Sequence, residues 1–175
     1  ITEVAPKDLD WESKGVLKSF NQKEFIDLWE WQYSGMADYG FVFFPNQCIK
    51  DRASCKIHVY FHGSSTEYEF LGLDMIKQSG FNDYAVTNDL IVLYPQTASH
   101  LVYNMLGSWV MPVDNEIKYG KDNYQVKAIK GMVDRLTEKT LKSEFLSYNE
   151  YQEHYFSRNA LIRPQGLQWV FDTYV

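Results

Sequence analysis

Residues 90 to 97 read LIVLYPQT, and residues 56 to 65 read KIHVYFHGSS. The first run is continuously apolar through Tyr94 and stops at Pro95. Continuous rather than alternating hydrophobicity is the pattern of a strand covered on both faces. The second run is rich in β-branched and aromatic residues and stops at His62-Gly63-Ser64-Ser65. It predicts a strand over 56–62. Two uses fit the turn that ends it. Gly63 allows a tight bend, or the bend aims backbone N–H groups at something negatively charged.

Outward from these two runs, the chain alternates strand-like and helix-like stretches. GFVFF at 40–44 is strand-like and ends at Pro45. Leu71 to Ser79 reads as a helix, with Gly80 where a C-terminal cap belongs. A short helix is predicted over 82–88. Asp122 opens an amphipathic helix, with Val126, Ile129, Met132, Val133 and Leu136 recurring at helical spacing. Before Gly40, residues 1–19 are polar and mixed and read as an extended lead-in. Asn21 is a candidate cap for a helix over 22–33 with Phe25, Leu28, Trp29 and Trp31 as its apolar stripe. Residues 96–121 read as a long loop containing Trp109. Strands alternating with helices predict an α/β fold with a mostly parallel sheet. One domain is expected, made of a lead-in and helix at 1–39, an α/β region at 40–136 and an extension at 137–175. The extension ends in a strand-like WVFDTYV.

Composition excludes several classes. At 17% aromatic residues, the 175-residue chain is unlike disordered sequence. Its formal net charge of −6, with no Lys/Arg block, lacks the electrostatic footprint of a nucleic-acid binder. No apolar run approaches the roughly 20 residues of a membrane span. No signal-peptide pattern is present, and a terminal Ile1 fits either a processed or a trimmed end. Cys48 and Cys55 are spaced too widely for a zinc knuckle and have no second pair. They read as a loop-closing disulfide, which implies an oxidising compartment, or as two buried thiols. No metal site and no cofactor are expected, and no glycine-rich phosphate loop occurs.

The order of words is more specific than any of these features. GFVFFPNQC is followed by SCKIHVYFHGSS, then SGFNDYAVTNDLIVLYPQT, then N-x-x-GSW, then a helix ending in AIKGMVDRL. From Gly40 to Leu136 this resembles the polyhydroxybutyrate depolymerase family of secreted α/β-hydrolase esterases. The resemblance implies an α/β-hydrolase-like fold, carboxylic-ester hydrolysis and an extracellular location. It implies that Cys48 and Cys55 are a retained disulfide. Members read His-Gly-Cys and Gly-Cys-Trp where this chain has His62-Gly63-Ser64 and Gly107-Ser108-Trp109, and those two cysteines pair. Both being serine here implies a bridge lost as a unit, with Ser64 and Ser108 still close. The turn after His62 supplies a backbone N–H to the oxyanion hole in the family, so Gly63 and Ser64 are the corresponding residues. Trp109 and Tyr103 match the wall of the substrate cleft, although Val110-Met111 replaces the family's usual Asp-Trp.

A nucleophile is missing from the same comparison. No G-x-S-x-G elbow occurs in the 175 residues. In a circularly permuted branch of the family, the nucleophile, acid and histidine all precede the matching segment. The resemblance is to the C-terminal half of such a member. No catalytic side chain is therefore assigned within this chain. His58 reads as a sheet-face histidine and His62 as a residue orienting the turn. His100 lies in a loop and His154 in the extension. Asp114 and Glu116 sit beside Lys118 as surface charge. The expected function is a chain of a secreted serine esterase, contributing the oxyanion-hole turn while a second chain carries the triad. The alternative is a catalytically inactive structural or binding subunit on the same fold, possibly self-assembling. A half sheet has an exposed edge, so the expected partner is that catalytic half or another copy.

Overall fold

A computed structural model describes residues 10–99, 104–109 and 120–137, and the backbone of 146–147. Four strands and a two-residue fifth form one sheet. They are β1 (Gly15–Asn21), β2 (Tyr39–Pro45), β3 (Lys56–Val59), β4 (Leu90–Tyr94) and β5 (Leu146–Ser147), in the spatial order β3-β4-β2-β1-β5. The helices are α1 (Trp11–Lys14), α2 (Leu28–Gln32), α3 (Asn46–Lys50), α4 (Tyr68–Leu71), α5 (Asp74–Gln78), α6 (Phe81–Asn88) and α7 (Tyr124–Thr137).

β2 and β4 are central and buried on both faces, as their unbroken apolar runs predict. Phe41, Phe43, Val92 and Tyr94 face a layer containing Leu73, Ile76 and Ala85. Val42, Phe44, Ile91 and Leu93 face the opposite layer, where α7 contributes Ala128, Met132 and Leu136. Helices on both faces of a sheet are the α/β layering that the sequence predicts.

The sheet is mixed rather than mostly parallel. Only β3 and β4 run parallel, joined by a crossover through α4, α5 and α6. β2 is antiparallel to both β4 and β1, and β5 is antiparallel to β1. Burial on both faces comes from the covering helices, so a continuous apolar run does not report strand direction. β1 begins inside the stretch read as a lead-in and runs on to Asn21. It pairs along its whole length, from Gly15 opposite Pro45 to Asn21 opposite Tyr39, which puts sheet before the boundary drawn at 39/40.

The helix expected over 22–33 is two pieces, a 3-10 turn at Gln22–Phe25 and α2. Each has its own cap. Asn21 Oδ1 accepts from Lys23 N–H at 3.0 Å, and Asp27 Oδ1 accepts from Glu30 N–H at 2.9 Å. The second cap ends the first piece, and Leu28 and Trp29 are exposed rather than part of a stripe. The helix expected over 71–79 is also divided, at Gly72, whose φ of +60° is left-handed. Cys48 and Cys55 form a disulfide that closes the connection from β2 to β3. Tyr103, His100, His154, Asp114, Glu116 and nearly all of the 137–175 extension lie outside the described residues.

Candidate functional site

Sheet pairing continues one residue beyond β3, where Tyr60 N–H donates to Leu93 O at 2.9 Å. The chain then turns. Thr66 folds back on Gly63 O through its N–H, at 3.3 Å, and its hydroxyl, at 2.8 Å. Gly63 does not make the bend. Its φ is outside the left-handed region, and an added Cβ there would meet only Thr66 Oγ1 at 3.5 Å. The left-handed residue is Ser65, at φ +58°. Ser65 N–H donates to Leu106 O at 2.7 Å, joining this turn to the 104–109 loop. Ser64 is exposed beside it, and its N–H donates to no acceptor among the described residues.

His62 sits beneath the turn, 3% exposed. Its Nε2 accepts from Thr97 N–H at 3.2 Å, so the ring proton is on Nδ1, which donates to Gly63 O at 2.8 Å. Both ring nitrogens are thus used in fastening the turn, the orienting role expected for this residue. Thr97 Oγ1 also lies 3.2 Å from Nε2, but it donates to Gly107 O and is fully buried. A hydroxyl with no path to substrate is not a nucleophile. Thr97 is itself set by the chain on either side, through Ala37 N–H to Gln96 O at 3.0 Å and Ala98 N–H to Gly35 O at 2.9 Å. It therefore ties both site loops to the end of β4. His58 stacks on Phe81 at 4.9 Å within β3 and is a packing residue.

The second loop is closed by Asn104. Its Oδ1 accepts from Ser108 N–H at 2.8 Å, and its Nδ2 donates to Ser108 O at 3.0 Å. This brings Ser108 Oγ to 2.6 Å from Ser64 Oγ, the proximity expected from the paired serines. Trp109 is held beside the turn by its Nε1–H, which donates to His62 O at 2.9 Å, and by an edge contact with Phe61 at 5.0 Å. Phe61 is 51% exposed, and Met105 and Leu106 are also exposed. Exposed apolar side chains are thus carried on both loops that meet at Ser64. Thr97 and Asn104 carry this geometry and were only letters within the YPQT and N-x-x-GSW motifs. Among the described residues, no group of three or more His, Cys, Asp or Glu side chains could hold a metal ion. No described helix is long and apolar enough to cross a membrane.

Burial lowers the pKa of His62. The hydrogen bond to Gly63 and the charge of Glu67 partly oppose the shift. A folded-state pKa below the unfolded value of about 6.5 adds stability above that pH, and the stability is lost as pH falls through the folded value. The wild-type chain is expected to lose urea resistance between pH 7 and pH 5. A H62N variant should lose less over the same range. Equal losses in both would show that His62 does not take part.

No protein-family model matches the chain. Curated relatives do. The chain is 34% identical over 122 residues to a poly(3-hydroxybutyrate) depolymerase of Delftia acidovorans, a match covering 69% of this chain and 23% of the relative. It is 33% identical over 75 residues to a polyhydroxybutyrate depolymerase of Talaromyces funiculosus, covering 41% of this chain and 22% of the relative. Among solved structures, it superposes on the PHB depolymerase from Penicillium funiculosum with a TM-score of 0.62 at 26% identity. It superposes on a PHB depolymerase complexed with an R3HB trimer with a TM-score of 0.59 at 27% identity. Each superposition covers 71% of this chain and 41% of the neighbour. The chain thus matches under a quarter of the length of these curated relatives, and under half of the solved ones. The described sheet and its helices are of the α/β-hydrolase type.

Proposed function

On the premise that the chain belongs, over the part it matches, to the polyhydroxybutyrate depolymerase family, we propose that it forms the oxyanion-hole turn and one cleft wall of a secreted polyester-hydrolysing serine esterase. The observation that carries this reading is the exposed Ser64 beyond the end of β3, whose N–H donates to no acceptor among the described residues, with Trp109 fastened next to it. In ester hydrolysis a serine attacks the carbonyl and negative charge grows on its oxygen. Cleavage then gives an acyl-enzyme that water resolves. A fixed backbone N–H aimed at that oxygen is a donor that costs no reorganisation during the reaction. The apolar surround of Phe61, Leu106 and Trp109 suits an aliphatic polyester such as the 3-hydroxybutyrate chain bound by one solved neighbour.

The nucleophile lies outside the described residues, on a longer form of this polypeptide or on a second chain. The permuted order, in which the catalytic half precedes this segment, fits a chain that matches under half of its solved neighbours. β3 supports the same reading. Among the described residues it is paired only with β4, so its other edge is open to a further strand. The Cys48–Cys55 disulfide fits an oxidising, extracellular setting.

The second reading, an inactive subunit on the same fold, is favoured by the two serines at the family's cysteine positions and by the absence of G-x-S-x-G in the sequence. A fluorophosphonate probe separates the two. Applied to native material, it should label a serine outside these 175 residues, in the same polypeptide or in a copurifying one, and ester hydrolysis should stop on labelling. No labelled serine and no hydrolysis would leave the inactive subunit.

A further inference from the structure

Glu67 follows the Ser64–Ser65–Thr66 turn and is 1% exposed. Among the described residues, neither carboxylate oxygen has a hydrogen-bond partner. A carboxyl buried without donors is a net cost to folding, and such groups ask for an explanation. Capping does not provide one. Glu67 stands at the N-cap of α4, where its main-chain O accepts from Phe70 and Leu71 N–H at 3.0 and 3.1 Å, but its side chain makes no cap bond. It is turned the other way, beneath the second loop. A Cβ built on Gly107 would fall 2.5 Å from Glu67 Cδ and 2.7 Å from each of its oxygens. The flat carboxyl therefore fills the space that a side chain at Gly107 would take.

Gly107 is held from other sides as well. Its N–H donates to Asn104 O at 3.2 Å, its O accepts from the Thr97 hydroxyl, and its φ is +56°. Those contacts fix its orientation. The Ser65–Leu106 and Trp109–His62 bonds tie the two loops together at their edges, and the Glu67 carboxyl is what Gly107 packs on between them.

We infer that Glu67 is a positioning residue: its planar carboxyl is the spacer on which Gly107 rests, and together with the bonds that tie the two loops it sets the distance between the Ser64 turn and the Ser108–Trp109 wall. A branched apolar side chain would fill the same volume without the polar cost, but its tetrahedral end is too thick for this gap. A shorter side chain would let the wall sink. The functional meaning rests on the reading of these two loops as one site, whereas the spacing itself can be measured without catalysis.

The reporter is the 2.6 Å separation of the Ser64 and Ser108 hydroxyls. In an S64C/S108C background, the thiol–disulfide equilibrium against a glutathione buffer gives the effective concentration of one thiol at the other. E67Q, which keeps the planar shape, should change it by less than about twofold. E67A should lower it by about tenfold or more. A residue that only contributed stability would lower Tm and leave this folded-state equilibrium where it was. An E67A value equal to the parent's would overturn the inference, and so would an E67Q loss as large as that of E67A. If E67A does not fold, E67D withdraws the carboxyl by one carbon and should shift the equilibrium in the same direction; no shift would count against the spacer. A chain that proves catalytically inactive can still pass this test, so the two readings fail separately.

Discussion

Oxidised S64C/S108C is expected to be more stable than its reduced form by about 2–4 kcal/mol. The two hydroxyl oxygens are 2.6 Å apart on residues 44 positions apart in sequence. Carbon–sulfur bonds are longer than carbon–oxygen bonds, so sulfur atoms in the same rotamers come within bonding reach. The chain-entropy estimate for a loop of this length is about 4 kcal/mol, near the upper end of what disulfides deliver. Ser64 is exposed and Ser108 half-buried, so what is lost with the hydroxyls is a partly solvated hydrogen bond worth about 1 kcal/mol. The comparison uses one polypeptide with and without reductant, which cancels that loss, and the wild-type chain treated in the same way subtracts the effect of reducing Cys48–Cys55. Urea midpoints measured both ways give the result. A disulfide that does not form on oxidation, or that leaves the midpoint unmoved, would mean that the two loops do not hold the spacing described.

This pair shows how much of the site could be read from sequence. Neither serine carries a signal alone. Their adjacency follows from the resemblance, in which both stand where the family has paired cysteines, and the structure places them in contact. The central strands were legible for a different reason: LIVLY and GFVFF are buried on both faces, and hydrophobicity alone reports that. β1 was not legible. GVLKSFN carries Lys18, Ser19 and Asn21 in seven residues, and Ser19 is fully buried although polar. Gln22 looks like a surface residue, yet it is fully buried. Its Nε2 donates to Gln96 O at 2.9 Å and its Oε1 accepts from Gln96 N–H at 3.0 Å, across 74 residues. No local pattern encodes a bond of that span. The turn was misread for a related reason. Glycine is the one residue that advertises a left-handed φ, but here Ser65 adopts it, held by Leu106 O from the other loop. Tertiary hydrogen bonds decide these positions, and they join segments that sequence windows never see together.

The catalytic reading makes its largest claim at one atom. In the hydrolase identified by probe labelling, S64P should lower kcat by about 10²–10³, which is the loss of about 2.7–4 kcal/mol of transition-state stabilisation expected for one oxyanion donor. KM should move little, because the ground-state carbonyl carries less charge to be bound. Proline removes the Ser64 N–H and fixes φ near −65°. Ser64 is not left-handed, and the residue before it is glycine, which tolerates the restriction that proline imposes on its predecessor. No described acceptor uses this N–H, so its removal breaks no hydrogen bond among the described residues. The control is S64A, which deletes the hydroxyl bonded to Ser108 and keeps the N–H. It should retain kcat within a few-fold. A backbone donor predicts that split, and a side-chain role predicts the reverse, with S64A and S64P equally impaired. An idle turn inherited with the fold predicts neither. Both variants would then leave turnover unchanged, and only thermal midpoints would register that Ser64 had been replaced.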